Sequence, residues 1–249
     1  MKAKMKIMIG LALCFLIWLP LVVWATPVGK ITSIEGRVDI SSAKTAAREA
    51  RLNDPVNEGD ILRTKSKSKA EVTLDDGNVL RLAENTRLRV SKYSMAEGQK
   101  NYFNLFRGKT QAVVNKLGRK SAFELHTPTA ICGVRGTMFI GFYQNGQSGF
   151  VFERGSGYGY NTRMPERVVT INTGNAMIVA GADKPPVLRP ATSTEINKHV
   201  QDTTPVKPKE EEKKKEEQKK DDAGTGKGTG AGGGQGGGGA AAGTGKDSG

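Results

Sequence analysis

Histidine and cysteine are almost missing from this chain, which has two of each in 249 residues. His126 and His199 fall on separate predicted elements, so neither a catalytic histidine dyad nor a His-rich zinc site is on offer. Cys14 lies in an N-terminal apolar run and Cys132 is the only other cysteine, which excludes an intramolecular disulfide framework once that run is removed. Stability then has to come from packing. With no charged neighbour in sequence to lower its pKa, Cys132 reads as a small buried hydrophobe, an intermolecular disulfide being the alternative. A sustained helical period is also missing between residues 28 and 181. Nucleophile–base pairs and metal-ligand clusters are not found, so a non-enzymatic protein without cofactor or metal is expected.

Two stretches imitate ligand sites without meeting their requirements. Asp54-Pro55-Val56-Asn57-Glu58-Gly59-Asp60 is rich in oxygen but does not follow the EF-hand order, and reads as a turn pair between strands. Gly155-Ser156-Gly157-Tyr158-Gly159-Tyr160 is not followed by a helical pattern, so it lacks the helix N-terminus that gives a glycine-rich loop its hold on phosphate. Its alternation predicts an edge strand with Tyr158 and Tyr160 on one face. Those rings would either cover glycine gaps or stack on sugar.

The two ends have compositions of their own. Lys2, Lys4 and Lys6 precede an apolar run over residues 7–24, and Val23-Trp24-Ala25 ends it with small residues where a signal peptidase reads. Residues 1–25 are therefore read as a signal peptide, with a periplasmic or secreted bacterial location. The alternative is an uncleaved anchor, because about 20 apolar residues span a bilayer, and this segment would then be the only membrane contact. Residues 223–249 contain 14 of the 32 glycines and no aromatic or branched apolar side chain, the composition of a disordered tail. Residues 206–222 form a Lys/Glu-rich spacer. Between the ends, residues 26–205 carry 26 basic and 17 acidic residues, a net charge of +9, which attracts polyanions. An exported domain meets envelope proteins and acidic polysaccharides, so these are the expected partners and nucleic acid is not.

Residues 28–181 alternate in short apolar runs of period two separated by turn residues, the pattern of an all-β domain. Strands are predicted at 28–34, 37–41, 70–74, 79–83, 86–93, 102–115 in two parts around Gly108, 122–126, 137–143, 149–153, 167–172 and 176–180. Asp75-Asp76-Gly77-Asn78 supplies a hairpin turn. Residues 138–142 are apolar on both faces apart from Gly141, which predicts a central strand covered on each side. Residues 42–52 are expected to be a loop with a helical turn. Pro185, Pro186 and Pro190 should end the sheet. Thr192-Ser193-Thr194-Glu195 matches a capping box opening a short helix, with Ile196 and Val200 on its inner face, which would close one end of the domain. The expected organisation is one antiparallel β domain over 26–190, sandwich- or solenoid-like, then a short helix and linker over 191–205.

The basic residues are patterned too. Lys65, Lys67 and Lys69 alternate with serines and would share one face of an extended strand, as would Arg87 and Arg89 opposite Leu88 and Val90. Lysines on an edge guard against edge pairing; the functional alternative is a polyanion-binding stripe. Three stretches, EGDILRTKSKSKAEVTLDDGNVLRLAENTRLRV (58–90), LFRGKTQAVV (105–114) and FELHTPTAICGVRGTMFIG (123–141), together resemble the successive motifs of the FecR domain family, and flanking strands extend the resemblance to residues 28–181. Its most specific part holds Thr127, Pro128, Gly133, Val134, Arg135, Gly136 and Thr137. Gly133 and Gly136 permit backbone angles closed to other residues and bracket Arg135, whose fixed donors suit either a clamp on loop carbonyls at a sheet crossing or the reading of a ligand.

In the namesake regulators the resemblance implies a periplasmic domain that receives a signal from an outer-membrane transporter and passes it through a membrane helix to a cytoplasmic segment controlling a sigma factor. Only six residues precede the apolar run here, and residues after 181 lack the pattern of the small transporter-contacting domain, so sigma-factor regulation is not expected to carry over. The expectation is an exported, non-enzymatic binding or scaffold module of the envelope, with a periplasmic sensor component acting through a separate membrane protein as the alternative.

Overall fold

The structure, a computed structural model, describes residues 27–206 except residues 44, 97, 117, 119 and 120. The segment read from the sequence as a signal peptide, the charged spacer beyond residue 206 and the glycine-rich tail lie outside the described residues. Among the described residues seventeen strands come first: β1 (Pro27–Glu35), β2 (Val38–Ser41), β3 (Arg48–Glu49), β4 (Pro55–Asn57), β5 (Ile61–Thr64), β6 (Lys69–Leu74), β7 (Val79–Leu82), β8 (Arg87–Lys92) and β9 (Lys100–Val113). They continue as β10 (Ala122–His126), β11 (Ala130–Val134), β12 (Met138–Gln144), β13 (Gln147–Arg154), β14 (Ser156–Asn161), β15 (Met164–Asn172), β16 (Asn175–Val179) and β17 (Val187–Pro190). One helix, α1 (Ser193–Thr203), follows.

Strand pairing builds two layers. Sheet A runs β4-β1-β6-β7-β9-β12-β13-β16-β17. Sheet B runs β3-β2-β5-β8-β9-β10-β11-β14-β15. Every pairing is antiparallel except β9 with β10, which is parallel. In the second half the chain lays one hairpin on sheet B, the next on sheet A, and repeats the step, so the layers grow sideways together.

β9 belongs to both. Its first half pairs with β8 and β10 in sheet B, and its second half with β7 and β12 in sheet A. The bend falls at Gly108, where φ is +93° and an added Cβ would lie 2.4 Å from Thr86 Oγ1 and 2.5 Å from its Cα. No other residue fits there. Buried Thr86 fixes the bend through its hydroxyl, which accepts from Lys109 N at 3.1 Å and lies 3.0 Å from Lys109 O.

The inward faces enclose one apolar core. Leu62, Val72, Leu80, Leu88, Leu105 and Leu125 are buried in it, and a chain of rings runs from Phe103 to Phe123 (4.8 Å), Phe139 (6.4 Å) and Phe152 (5.6 Å). At 20–33 cal/mol per Å² of apolar surface removed from water, burial of this kind is the main source of stability. Cys132 sits in the core, fully buried, and burial raises its thiol pKa well above the ordinary range, with the charge of Glu124 adding to it. β12 takes the central place expected of residues 138–142: Phe139 faces the core, while Phe142 turns outward and stacks on His199 of α1 at 5.7 Å.

Several sequence expectations are corrected. The described residues of 42–52 contain no helical turn; Arg48 and Glu49 form β3, and the Asp54 carboxylate holds the segment by accepting from Arg48 at 2.6 Å and from Arg51 N at 2.8 Å. The sheet does not stop at the prolines, because β17 adds an edge to sheet A, where a missing N–H is tolerated. Residues 155–160 are no edge strand: β14 lies between β11 and β15. Finally, α1 lies on the outer side of sheet A beside Phe142 and Lys109 rather than closing an end of the domain.

Candidate functional site

The outer faces of the two sheets differ in how far they satisfy themselves. On sheet A, a polar ladder joins side chains from five strands: Thr32 donates to Glu71 at 3.1 Å, Arg81 Nε to Glu71 at 2.8 Å, Arg81 Nη1 to Gln111 at 3.2 Å and, across β12, Gln111 to Glu153 at 3.2 Å. α1 covers what remains. Lys69 Nζ donates to the carbonyls of Gln201 (2.9 Å) and Thr204 (3.0 Å) at its C-terminal end, Lys109 pairs with Asp202 at 2.6 Å, and Arg189 grips Glu195 with two hydrogen bonds of 2.6 and 2.8 Å near its N-terminal end. Thr192 caps α1 by accepting from Glu195 N at 3.1 Å.

The outer face of sheet B is open and carries rings. Alternation along β10 points Phe123 and Leu125 into the core and leaves Glu124 and His126 outside. Register then places Tyr102 of β9 and Gly133 of β11 beside Glu124, and Tyr158 of β14 beside Gly133. Gly133 is needed for closeness rather than for backbone angle, because an added Cβ would lie 2.2 Å from Tyr158 Cζ. The Tyr158 hydroxyl reaches across it and donates to Glu124 Oε1 at 2.8 Å. Lys100 Nζ lies 3.1 Å from the same oxygen, and His126 Nε2 donates to Oε2 at 2.8 Å. Tyr102 stacks on His126 at 5.0 Å with 11° between planes, and Tyr160 lies parallel to Tyr158 at 6.4 Å and 4°.

Glu124 organises these groups. Its side chain is 7% exposed, and the donors from His126, Tyr158 and Lys100 outweigh burial and hold its pKa down to about 2. A carboxylate so held stays ionised at neutral pH. The Tyr158 hydroxyl is moved the other way, first by burial and then by Glu124. The effect is to fix ring positions.

Next to the rings lies a groove of about 340 Å³, lined by Phe106, His126, Pro128, Ile131 and Thr162 among others. Arginines flank it on β5 and β8. Arg87 stands opposite Arg63, its guanidinium 5.2 Å from the Phe106 ring centroid. Arg89 lies opposite Asn104, and its buried Nε has no hydrogen-bond partner. Among the described residues Arg63, Arg87 and Arg89 form no ion pair; Asp39, opposite Arg63, is paired with Lys65.

The other expected site residues disperse. Lys65, Lys67 and Lys69 do not share a strand face, because residues between β5 and β6 form a turn with Lys67 at φ +53°; Lys65 turns to Asp39 and Lys69 to α1. Thr127 and Pro128 shape the β10–β11 turn, in which Thr127 Oγ1 donates to Ala130 O at 2.8 Å. Thr137 ties the crossing from β11 to β12, donating to Ser156 O at 2.9 Å, and Gly136 there has φ +150°. Arg135 sits at that crossing but clamps nothing: it is exposed, without a hydrogen bond or ion pair among the described residues. The Asp54–Asp60 loop closes on itself, Asp60 accepting from Asn57 N at 2.8 Å, and no group of three His, Cys, Asp or Glu able to hold a metal occurs among the described residues.

Glu124, His126, Tyr102 and Phe106 are absent from the sequence-based set. Phe-Glu-Leu-His over 123–126 carries the signal for the first two, since alternation puts Glu and His together on the face away from the core. Nothing in the sequence announces that β9 lies parallel beside β10.

The family model described as FecR protein matches residues 60–156, consistent with a FecR-domain protein. None of the curated proteins matches. Two crystal structures of a "putative anti-sigma factor" from Parabacteroides distasonis ATCC 8503 are similar in fold, each with TM-score 0.49 and 19% identity over 57% of this chain and 64% of the other. The chain therefore spans less than two thirds of the length of that structure.

Proposed function

Taking the FecR match over residues 60–156 as premise, we propose that this protein is an exported, non-enzymatic binding module of the bacterial envelope that engages its partner through the outer face of sheet B. The observation that carries this reading is the ring cluster fixed by Glu124. A buried carboxylate with three donors immobilises Tyr158, His126 and, through stacking, Tyr102 before any partner arrives, and preorganised side chains bind without a further loss of rotamer freedom. The opposite face is spanned by its own ladder and covered by α1. The family match favours a signalling role, in which the bound state is reported by a separate membrane protein.

Photo-cross-linkers at positions 106 and 160 of the full chain, in intact cells, test the face; a third at Asn197, on the exposed side of α1, is the comparison. Capture from 106 and 160 but not from 197 is expected. Capture from 197 alone would move the binding face to sheet A. N-terminal sequencing of the periplasmic fraction should begin at Thr26, and a chain confined to the cytosol would end the export reading.

A further inference from the structure

We propose that the partner of the outer face of sheet B is an acidic polysaccharide, held by rings on one side of the face and by arginines on the other. This deepens the proposed function and rests on it. Register aligns a row of outward residues across the sheet: Arg89 on β8, Asn104 on β9, His126 on β10, Ile131 on β11 and Tyr160 on β14. At about 4.8 Å between neighbouring strands the row is roughly 19 Å long. That length exceeds one sugar ring and suits several consecutive units of a polymer.

The chemistry along the row changes in the order an acidic glycan requires. At the β14 end Tyr160 and Tyr158 offer parallel rings, both half-buried and partly open to solvent. The apolar C–H faces of a pyranose pack on such rings. In the middle, Asn104 and the groove beside His126 and Ile131 offer an amide and an apolar floor. At the β8 end Arg63, Arg87 and Arg89 supply guanidinium groups with no carboxylate of their own, and Arg89 Nε is shielded from water with its donor unused. Planar carboxylates are the acceptors that guanidinium forks match best. A protein partner would need apolar area gathered at its centre, and here the exposed large apolar side chains of the face are split between Phe106 beside the groove and Val168 on β15. A charge-only polyanion would leave the fixed rings without a role.

The test uses the full chain with polygalacturonate as the acidic glycan, dextran as the neutral one and polyglutamate as a carboxylated polymer without sugar rings. Binding to polygalacturonate, and weaker or no binding to the other two, is expected by calorimetry. Tyr160→Ala should weaken it about tenfold with the thermal transition unchanged, and Arg87→Gln and Arg63→Gln should each weaken it and flatten its salt dependence. Lys67→Gln, on a distant turn, should leave it unaltered. Equal binding of polyglutamate, or no effect of Tyr160→Ala, would reduce the face to a charge contact and overturn the inference. If no polysaccharide binds while cross-linkers at 106 and 160 capture a protein, the ligand class is wrong and the binding face stands. If neither binds, both fall.

Discussion

Glu124 shows how one buried charge can be stable and useful together. Removing a carboxylate from water is costly unless donors replace the lost hydration; Tyr158, Lys100 and His126 do so from three different strands. Because the folded pKa is depressed from an ordinary 4.5 to about 2, the unfolded chain binds the proton more readily. The stability contributed by this site is complete above about pH 4.5 and is lost as pH falls from there towards 2. Urea unfolding across that range should show the loss, and Glu124→Gln should flatten its slope; a slope equal to that of the unmodified protein would assign the acid sensitivity elsewhere. The same neighbourhood shows what is legible at this scale. The motif marks Gly133, but a sequence cannot show whether a glycine serves a backbone angle or the approach of a ring, and here it is the ring of Tyr158. Arg135 illustrates the converse: a residue central to a motif has its side chain in solvent, where no local pattern predicts a contact.

At the scale of elements, local rules worked where the element is local. The Asp75–Asn78 hairpin, the alternation of Ala70, Val72 and Leu74 and the Thr192 cap are all present. The strands that went unseen, β3, β4, β5, β11 and β17, have two to five residues each, and their hydrogen bonds come from neighbours distant in sequence or from other short strands rather than from a pattern of their own. The lysines at 65, 67 and 69 misled because alternation of charge was read without the turn that interrupts it. For α1, the sequence gives the helix but not its seat. His199 lies against Phe142, and its pKa is lowered first by burial and then by Lys109, with Lys198 acting the same way and Glu195 and Asp202 opposing. As its folded pKa is depressed, docking is strongest when the ring is neutral, above an unfolded value near 6.5, and weakens as pH falls below it. Amide exchange in Ser193–Thr203 should therefore quicken between about pH 6.5 and 5 relative to the core strands. His199→Gln should remove that dependence, and exchange that is flat with pH in the unmodified protein would refute it.

For the whole molecule, an all-β body with one terminal helix is readable from periodicity and turn residues, whereas the partition of strands between layers is not. Gly36, Gly136 and Gly155 lie where the chain leaves one sheet for the other, and a turn residue alone does not tell such a step from a hairpin. Gly108 is the extreme case, a positive φ inside a 14-residue strand. Gly108→Ala places a methyl group on Thr86 and a side chain in a conformation that costs about 1–3 kcal/mol on its own, so a loss on the order of 3 kcal/mol is expected. Because both sheets share the strand, chemical unfolding of the variant should stay a single transition that moves to lower denaturant. Two separated transitions would mean that the layers fold independently.

That shared strand also settles how the two faces are mechanically related. Asn104 borders the groove and Lys109 holds the foot of α1, and between them runs unbroken backbone with a single bend. A load placed on the ring-bearing face is thus carried to the helix by covalent bonds, and the layers cannot slide as independent plates without turning that bend. A tug at one surface is felt at the other through one rod.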